Sequence, residues 1–134
     1  MKKQTNNFKV VNYAVGDFLI KLKNASMAKN KLVVVPANKE IVAIAEALKK
    51  LGFLDTIKKE ENILSITLAF RNKRPVIINI KLVSKPGLRI YLGVDEIEAK
   101  KGPSIFLIST PKGIMSSLEA IKLRVGGEVI AEIL

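Results

Sequence analysis

The sequence of 134 residues contains no cysteine, no histidine and no tryptophan. Without cysteine there is no disulfide framework. Serine–histidine–aspartate triads, cysteine–histidine pairs and zinc sites made of cysteine and histidine are excluded as well. Aromatic residues make up only 5% of the chain, which is few for a platform that stacks single-stranded bases.

Motifs that cradle phosphates or frame a nucleophile are also missing. Gly126-Gly127 is too short for a dinucleotide fingerprint. The acidic pairs Glu60-Glu61 and Asp95-Glu96 fall in predicted polar turns, which favours solvated charge over paired catalytic carboxylates. A Ser109–Lys112 nucleophile is the one enzymatic alternative, and no Gly-x-Ser-x-Gly elbow frames that serine.

No apolar run approaches the length of a membrane span. Residues 1–7 lack the apolar core of a secretory signal. We therefore expect a protein that works in the compartment where it is made, with no membrane contact, no metal, no cofactor and no small-molecule substrate.

Basic residues are what the chain has in excess. There are 23 Lys and Arg against 12 Asp and Glu, a formal net charge of +11. The excess is present in both halves, with 13 basic and 6 acidic residues in 1–72 and 10 and 6 in 73–134. Such a charge predicts a polyanionic partner. The alternative is a basic protein that is merely well solvated.

Apolar spacing predicts an α+β fold of two small lobes. In residues 1–72 it predicts helices over 8–28 and from the cap Asn38 to the terminator Gly52, with strands over 32–35, 53–58 and 63–71. The polar segment 72–75 marks the boundary. In residues 73–134 it predicts mainly antiparallel strands, over 76–83, 88–92, 104–109 and 128–133, with an irregular stretch at 93–103 and a short helix at 114–121.

Three segments are candidates for RNA recognition, each with a purely structural alternative. Residues 109–113, Ser-Thr-Pro-Lys-Gly, offer hydroxyls, a cation and a permissive glycine, or else Thr110 caps a helix with Pro111 in its first turn. Residues 84–91 offer Lys85, Arg89 and Tyr91, or else form a plain turn with Tyr91 half-buried. Residues 36–39 offer a helix N-terminus with Lys39 as a phosphate contact, or simple capping.

Five motifs in order resemble the ribosomal protein S8 family of the small subunit. They span residues 17–25, residues 36–53, Ser-Lys-Pro-Gly-Leu-Arg-Ile-Tyr at 84–91, Ser-Thr-Pro-Lys-Gly-Ile-Met at 109–115 and Gly-Gly-Glu-Val at 126–129. Each motif alone is weak, whereas five at the proper spacing are strong.

The resemblance implies a two-lobe structural protein that binds the central domain of small-subunit ribosomal RNA early in assembly, beside the small-subunit protein S5. It implies a ribosomal location in a bacterium or an organelle. The RNA contacts that it implies are led by Ser109, Thr110, Pro111, Lys112, Gly113 and Tyr91, followed by Arg89, Lys85, Lys39, Asn24 and Glu128.

Two departures from the family pattern bear on these contacts. Pro111 stands where the family has a second serine, which removes a hydroxyl and a backbone donor. Lys21 and Lys23 stand where arginine is usual, and lysine cannot form a bidentate phosphate fork.

A basic scaffold that meets an acidic protein face is a further alternative, which predicts no RNA preference beyond charge.

Overall fold

The computed structural model describes residues 2–85, 87–100 and 102–134, with side chains from residue 14 onward. The described residues form the α+β fold that the sequence predicts. In chain order the elements are α1 Lys2–Met27, β1 Leu32–Pro36, α2 Lys39–Lys50, β2 Leu54–Glu60, β3 Ile63–Leu68, β4 Phe70–Arg71, β5 Arg74–Pro75, β6 Ile80–Leu82, β7 Tyr91–Leu92, α3 Val94–Ala99, β8 Ile105–Thr110, β9 Gly113–Ser116, α4 Ser117–Leu123 and β10 Gly127–Ile133.

The strands form two main antiparallel sheets, one from each half of the chain. The first sheet has the order β1-β3-β2. The second has the order β6-β10-β8-β9, with β7 also paired to β10. Strands β4 and β5 form a separate two-stranded ribbon between the two sheets in chain order. Strand β10 is therefore the centre of the second sheet, although it is the latest of these strands in the sequence.

Helix α2 follows its local signals closely. The Asn38 side chain accepts a hydrogen bond from the Ile41 backbone amide at 2.8 Å, as an N-cap does. Gly52 adopts a φ of 91°, a conformation that residues with a Cβ rarely take. The apolar stripe of the helix is buried, with Ile44 and Leu48 both at 0% exposure.

The alternation predicted for the third strand is also confirmed. Leu64, Ile66 and Leu68 point into the core, while Ser65 and Thr67 on the other face are half-buried. Val11, which belongs to the predicted stripe of the first helix, lies outside the described side chains.

The largest apolar cluster joins the two halves of the molecule. It contains buried residues of α1, α2 and β3 together with residues from the second half of the chain. The members contributed by the second half are Ile77, Ile80, Leu107, Ala131 and Ile133. A second, smaller cluster lies on the other side of the second sheet, around Ile108 and Val129.

Three predicted strands are shorter than expected. The strand predicted over 63–71 ends at Leu68, and Ala69 separates it from β4. The strand predicted over 76–83 is regular only over Ile80–Leu82, because the amides of Ile78 and Asn79 both donate to the Leu134 carbonyl. The Ile77 carbonyl accepts from the Ser26 hydroxyl of α1. The strand predicted over 88–92 is restricted to Tyr91–Leu92, because Leu88 pairs back with Lys85 across a turn.

The irregular stretch predicted at 93–103 contains a helix, so that prediction was wrong over Val94–Ala99. The Glu96 carboxylate accepts from the Gly93 amide at 2.9 Å and satisfies one free donor at the helix start. Acidic residues in a first turn favour a helix electrostatically. The signal was present, but the segment is too short to show apolar periodicity.

The helix predicted over 114–121 begins later than expected. Residues Gly113–Ser116 form strand β9, which pairs with β8, and the helix is Ser117–Leu123. The Ser116 hydroxyl accepts from the Glu119 amide at 3.2 Å and caps that helix. Pairing with a strand that precedes it in the chain thus overrides the local helical pattern.

Candidate nucleic-acid interface

The segment Ser109 to Gly113 is a β-hairpin turn between β8 and β9. Thr110 and Gly113 are paired across the turn, with Pro111 and Lys112 at its tip. The expectation that Thr110 caps a helix with Pro111 in the first turn is therefore wrong. Pro111 occupies the second turn position, where its fixed φ is favourable, and Gly113 supplies a φ of 119°.

The Thr110 hydroxyl fixes the conformation of this turn. It donates to the Gly113 carbonyl at 2.8 Å and accepts from the Lys112 amide at 3.1 Å. Thr110 is buried, whereas Pro111 and Lys112 are exposed. The buried hydroxyl therefore stabilises the loop, while the cation and the proline ring face outward.

Tyr91, Glu128 and Ser109 form a row across the second sheet. Glu128 in β10 pairs with Tyr91 on one side and with Ser109 on the other. Residues directly opposite one another on antiparallel strands project from the same face. Tyr91 is 64% exposed, so the alternative that it is half-buried core is wrong. An exposed aromatic ring thus lies on the same sheet face as Ser109.

Arg89 and Glu128 form an ion pair beside this row. The Arg89 Nη1 atom lies 3.1 Å and 3.2 Å from the two Glu128 carboxylate oxygens, and the side chains are 20% and 19% exposed. Arg89 was predicted to meet phosphate, whereas the structure gives it a protein carboxylate. Glu128 in turn anchors the segment that leads into Tyr91.

Gly126 and Gly127 allow the strands of the site to come close together. A Cβ on Gly126 would lie 2.4 Å from the Leu92 carbonyl oxygen, and one on Gly127 only 2.0 Å from the Ser109 carbonyl oxygen. Both contacts are with backbone, which cannot rotate away. The glycine pair therefore keeps the Tyr91 strand and the Ser109 strand at their observed separation.

A cavity of about 170 Å³ connects the site to the first half of the chain. Charged groups from both halves line it, and the sequence did not indicate that they meet. The acidic ones are Asp17, Glu40 and Glu128, and the basic ones are Lys85 and Arg89. This interior mixes both signs of charge, so an anion is better attracted to the exposed loop outside it.

The remaining predicted contacts lie farther from the hairpin turn. Lys85 is exposed at a turn in which Gly87 has a φ of 86°, while Pro86 of the same motif lies outside the described residues. Lys39 is exposed at the start of α2, next to Glu40 on the rim of the cavity. Asn24 is exposed on α1. The structure therefore places Tyr91 and Ser109 in one row of the second sheet and Lys112 in the adjoining turn, whereas Asn24 belongs to α1.

Within the described residues no helix is long and apolar enough to cross a bilayer. Among these residues there is also no group of three or more acidic, histidine or cysteine side chains suited to a metal ion. The candidate site consists of hydroxyls, one aromatic ring and cations, beside the Arg89–Glu128 ion pair on the second sheet.

Comparison with known proteins gives a consistent result. The model of the ribosomal protein S8 family matches residues 14–134. The small ribosomal subunit protein uS8 of Spiroplasma kunkelii is 41% identical over 121 residues, covering 87% of this chain and 94% of that protein. The uS8 protein of Chloroflexus aggregans is 40% identical over 127 residues, covering 90% and 96% respectively.

The small ribosomal subunit protein uS8c of Phaeodactylum tricornutum is 40% identical over 136 residues. The matched region covers 92% of this chain and 99% of that protein. Bacterial and uS8c proteins thus resemble the chain equally, in agreement with the predicted ribosomal location. These relatives are structural proteins and not enzymes, which removes the Ser109–Lys112 nucleophile as an alternative. The chain belongs to the ribosomal protein S8 family and is a structural component of the small ribosomal subunit.

Proposed function

We propose that this protein binds small-subunit ribosomal RNA directly, through the hairpin turn and Tyr91, and so helps to assemble the central domain. The observation that carries the proposal is that the second sheet presents both an exposed aromatic ring, Tyr91, and an exposed cation, Lys112. Tyr91 can stack on a base or a sugar, and Lys112 can meet a phosphate. Ser109, between them, presents a hydroxyl.

The frame supports this role because contacts within the protein itself define its conformation. The Thr110 hydroxyl holds the turn in its conformation, and the Arg89–Glu128 pair holds the row of Tyr91, Glu128 and Ser109. Gly126-Gly127 sets the separation of the strands. A preorganised site avoids the entropic cost of ordering a loop upon binding. Pro111 also restricts the conformation of the turn tip, although it lacks the hydroxyl and the backbone donor of the serine that the family has at this position.

The test is a salt-titrated binding curve with a central-domain fragment of the small-subunit RNA, next to a scrambled duplex of equal length. We expect the cognate fragment to bind at least about tenfold more tightly at physiological salt, which is about 1.4 kcal/mol. Equal binding of both RNAs, with the same salt dependence, would mean that charge alone drives binding. That result would favour the basic-scaffold alternative.

Two substitutions assign the contacts. Tyr91→Ala and Lys112→Ala should each weaken cognate binding by roughly 1–3 kcal/mol. Matched controls are Leu88→Ala, which removes a side chain 61% exposed near the site, and Lys122→Ala, which removes an exposed cation on α4. Both controls should change binding by less than about 0.5 kcal/mol. If the control variants weaken RNA binding as much as the site variants do, the site assignment is wrong.

The proposal also places the chain beside the small-subunit protein S5. The outer face of the first sheet supports contact with a protein, because Leu32, Val34 and Ile63 are 62%, 47% and 51% exposed there. Neighbouring apolar side chains on one open sheet face are typical of protein interaction sites. Val34→Lys should abolish binding of purified S5 while leaving RNA affinity within about twofold, because that face is remote from the hairpin turn.

A further inference from the structure

A shallow hollow lies between the strand of Tyr91 and the hairpin turn. Its walls are Tyr91 and the turn residues Thr110 and Pro111, and its floor includes Gly126 and Gly127. We call this space the tip hollow. Strand β10 runs between the two walls, so they stand two strand spacings, or roughly 10 Å, apart. The volume of about 580 Å³ suits a small flat group and is far too narrow for a double helix.

The floor of the tip hollow is backbone. Gly126 and Gly127 carry no side chain, so a flat ligand can approach the main chain closely. Glu128 also lines the hollow, but its carboxylate oxygens lie 3.1 Å and 3.2 Å from the Arg89 Nη1 atom. This ion pair removes most of the repulsion that the carboxylate would exert on an RNA phosphate.

The tip of the turn is poor in groups that read base edges. Pro111 has no backbone N–H, and the Lys112 amide already donates to the Thr110 hydroxyl at 3.1 Å. That hydroxyl in turn donates to the Gly113 carbonyl at 2.8 Å. Of the two described residues at the tip, the Lys112 ammonium is therefore the one donor left for RNA, and it sits on a flexible side chain that meets phosphate as a point charge.

The walls of the tip hollow offer packing surface in place of fixed donors. Tyr91 is 64% exposed, and Pro111 is exposed as well. Covering such apolar rings with another flat face is favourable, and every base has a π-face, so stacking tolerates any base. The Ser109 hydroxyl also lines the hollow. It can rotate to donate or to accept, so it does not by itself separate one base from another.

We propose that Pro111 makes the tip hollow a slot for one unpaired nucleotide, whose base is held by packing whatever its identity. The inference rests on the proposed function, since it takes RNA to be the ligand of the hairpin site, that is, of Tyr91, Ser109 and the hairpin turn. It deepens that function by stating how this site reads RNA. A nucleotide in an internal loop or a bulge can turn its base outward, whereas neighbours cover the faces of a paired base. Lys112 then meets the phosphate of the captured nucleotide.

The first experiment locates the captured nucleotide. Each unpaired nucleotide of the central-domain fragment is replaced in turn by an abasic one, and the affinity of the full-length chain is measured. At one position we expect the abasic change to weaken binding by at least about fivefold, as for the loss of a stacked base. With Tyr91→Ala the same change should weaken binding by less than about twofold, because one wall of the hollow is gone. If the two proteins respond equally at every position, the hollow holds no base and the inference is wrong.

The second experiment varies the base at the located position. The wild-type chain should bind the four bases with affinities within about twofold of one another. Pro111→Ser returns a fixed amide donor and a hydroxyl, and one hydrogen bond changes affinity by about two- to twelvefold. The four affinities of this variant should therefore spread over about fivefold or more. The matched control is Pro103→Ser, at an exposed proline just before the other end of β8, which should keep the narrow spread of the wild type.

Equal spreads for the wild type, Pro111→Ser and Pro103→Ser would overturn the inference, as would a wild-type spread as wide as that of Pro111→Ser. If the wild type binds the cognate fragment and the scrambled duplex alike, the proposed function fails, and the inference fails with it. If the wild type discriminates between these RNAs and Tyr91→Ala weakens binding, while Pro111→Ser matches its control, only the inference fails. Thermal unfolding of each variant checks that these exposed substitutions leave the fold intact.

Discussion

At the scale of single residues, Thr110 fixes the turn that carries the exposed residues Pro111 and Lys112. Its hydroxyl donates to the Gly113 carbonyl and accepts from the Lys112 amide within the turn. We therefore expect Thr110 to support the proposed binding through the conformation of the exposed turn residues. Arg89 is held within the protein in a similar way, by its ion pair with Glu128.

Thr110→Val should lower both stability and RNA affinity, because the isosteric change removes both turn hydrogen bonds. Each is worth about 0.5–1.5 kcal/mol of unfolding free energy. Thr110→Ser keeps the hydroxyl and should retain most of the affinity. Denaturant unfolding and the binding titration measure the two effects. Equal affinity of the valine and serine variants would show that the hydroxyl does not order the loop.

Gly127→Ala should destabilise the protein by roughly 1–3 kcal/mol, because its Cβ would lie 2.0 Å from the Ser109 carbonyl oxygen and force the strands apart. Gly16→Ala is the matched control. Gly16 lies in α1, and its Cβ would meet only the Leu82 side chain of β6 at 3.6 Å, an ordinary contact. The change should therefore stabilise the helix by about 0.5–1 kcal/mol. The two melting temperatures should shift in opposite directions, and a shared direction contradicts the packing argument.

At the scale of elements, two ion pairs of the same length have different expected strengths. Arg89–Glu128 and Lys50–Glu119 both measure 3.1 Å, but their side chains are 20% and 19% exposed in the first pair and 71% and 37% in the second. Solvent screens the exposed pair, which joins α2 to α4. The shielded pair should therefore do more to hold its elements together.

Double-mutant cycles with alanine should give a coupling free energy of about 1–3 kcal/mol for Arg89–Glu128, since each charge left alone there loses a charged hydrogen-bond partner. For Lys50–Glu119 we expect less than about 1 kcal/mol. Unfolding in denaturant supplies the values. Similar couplings would mean that burial is not what separates the two pairs.

Elements with strong local signals could be predicted, and those fixed by distant pairing could not. Helix α2 carries its cap, its apolar stripe and its terminator within its own segment. Strand β9 is different, because pairing with β8 decides its conformation. In the site, exposed Lys112 followed from the sequence, whereas the Arg89–Glu128 pair joins residues 39 positions apart and no local pattern indicates it.

At the scale of the whole molecule, the shared core couples the two halves. The sheets divide near residue 72, as the predicted two lobes would, yet Leu107 and Ile133 lie in the same apolar cluster as Phe18 and Leu64. Because both halves contribute to this cluster, it loses apolar contacts when either half opens. We therefore expect one cooperative unfolding transition.

The lack of tryptophan makes that expectation easy to test. Phe53→Trp reports on the first half and Phe106→Trp on the second, each as the single tryptophan of its variant. The two fluorescence transitions should share one denaturant midpoint with far-ultraviolet circular dichroism. Separate midpoints for the two probes would show that the halves unfold independently.

The position of β10 in the sequence determines when the second sheet can form during synthesis. Strands β6, β7 and β8 all pair with β10, so each emerges from the translating ribosome before its partner exists. The three-stranded sheet, complete by Leu68, has no such delay. The hairpin site therefore acquires its frame only after residues 127–133 have left the exit tunnel. In a nascent chain stalled before that point, we expect the first sheet to be formed and RNA binding to be absent.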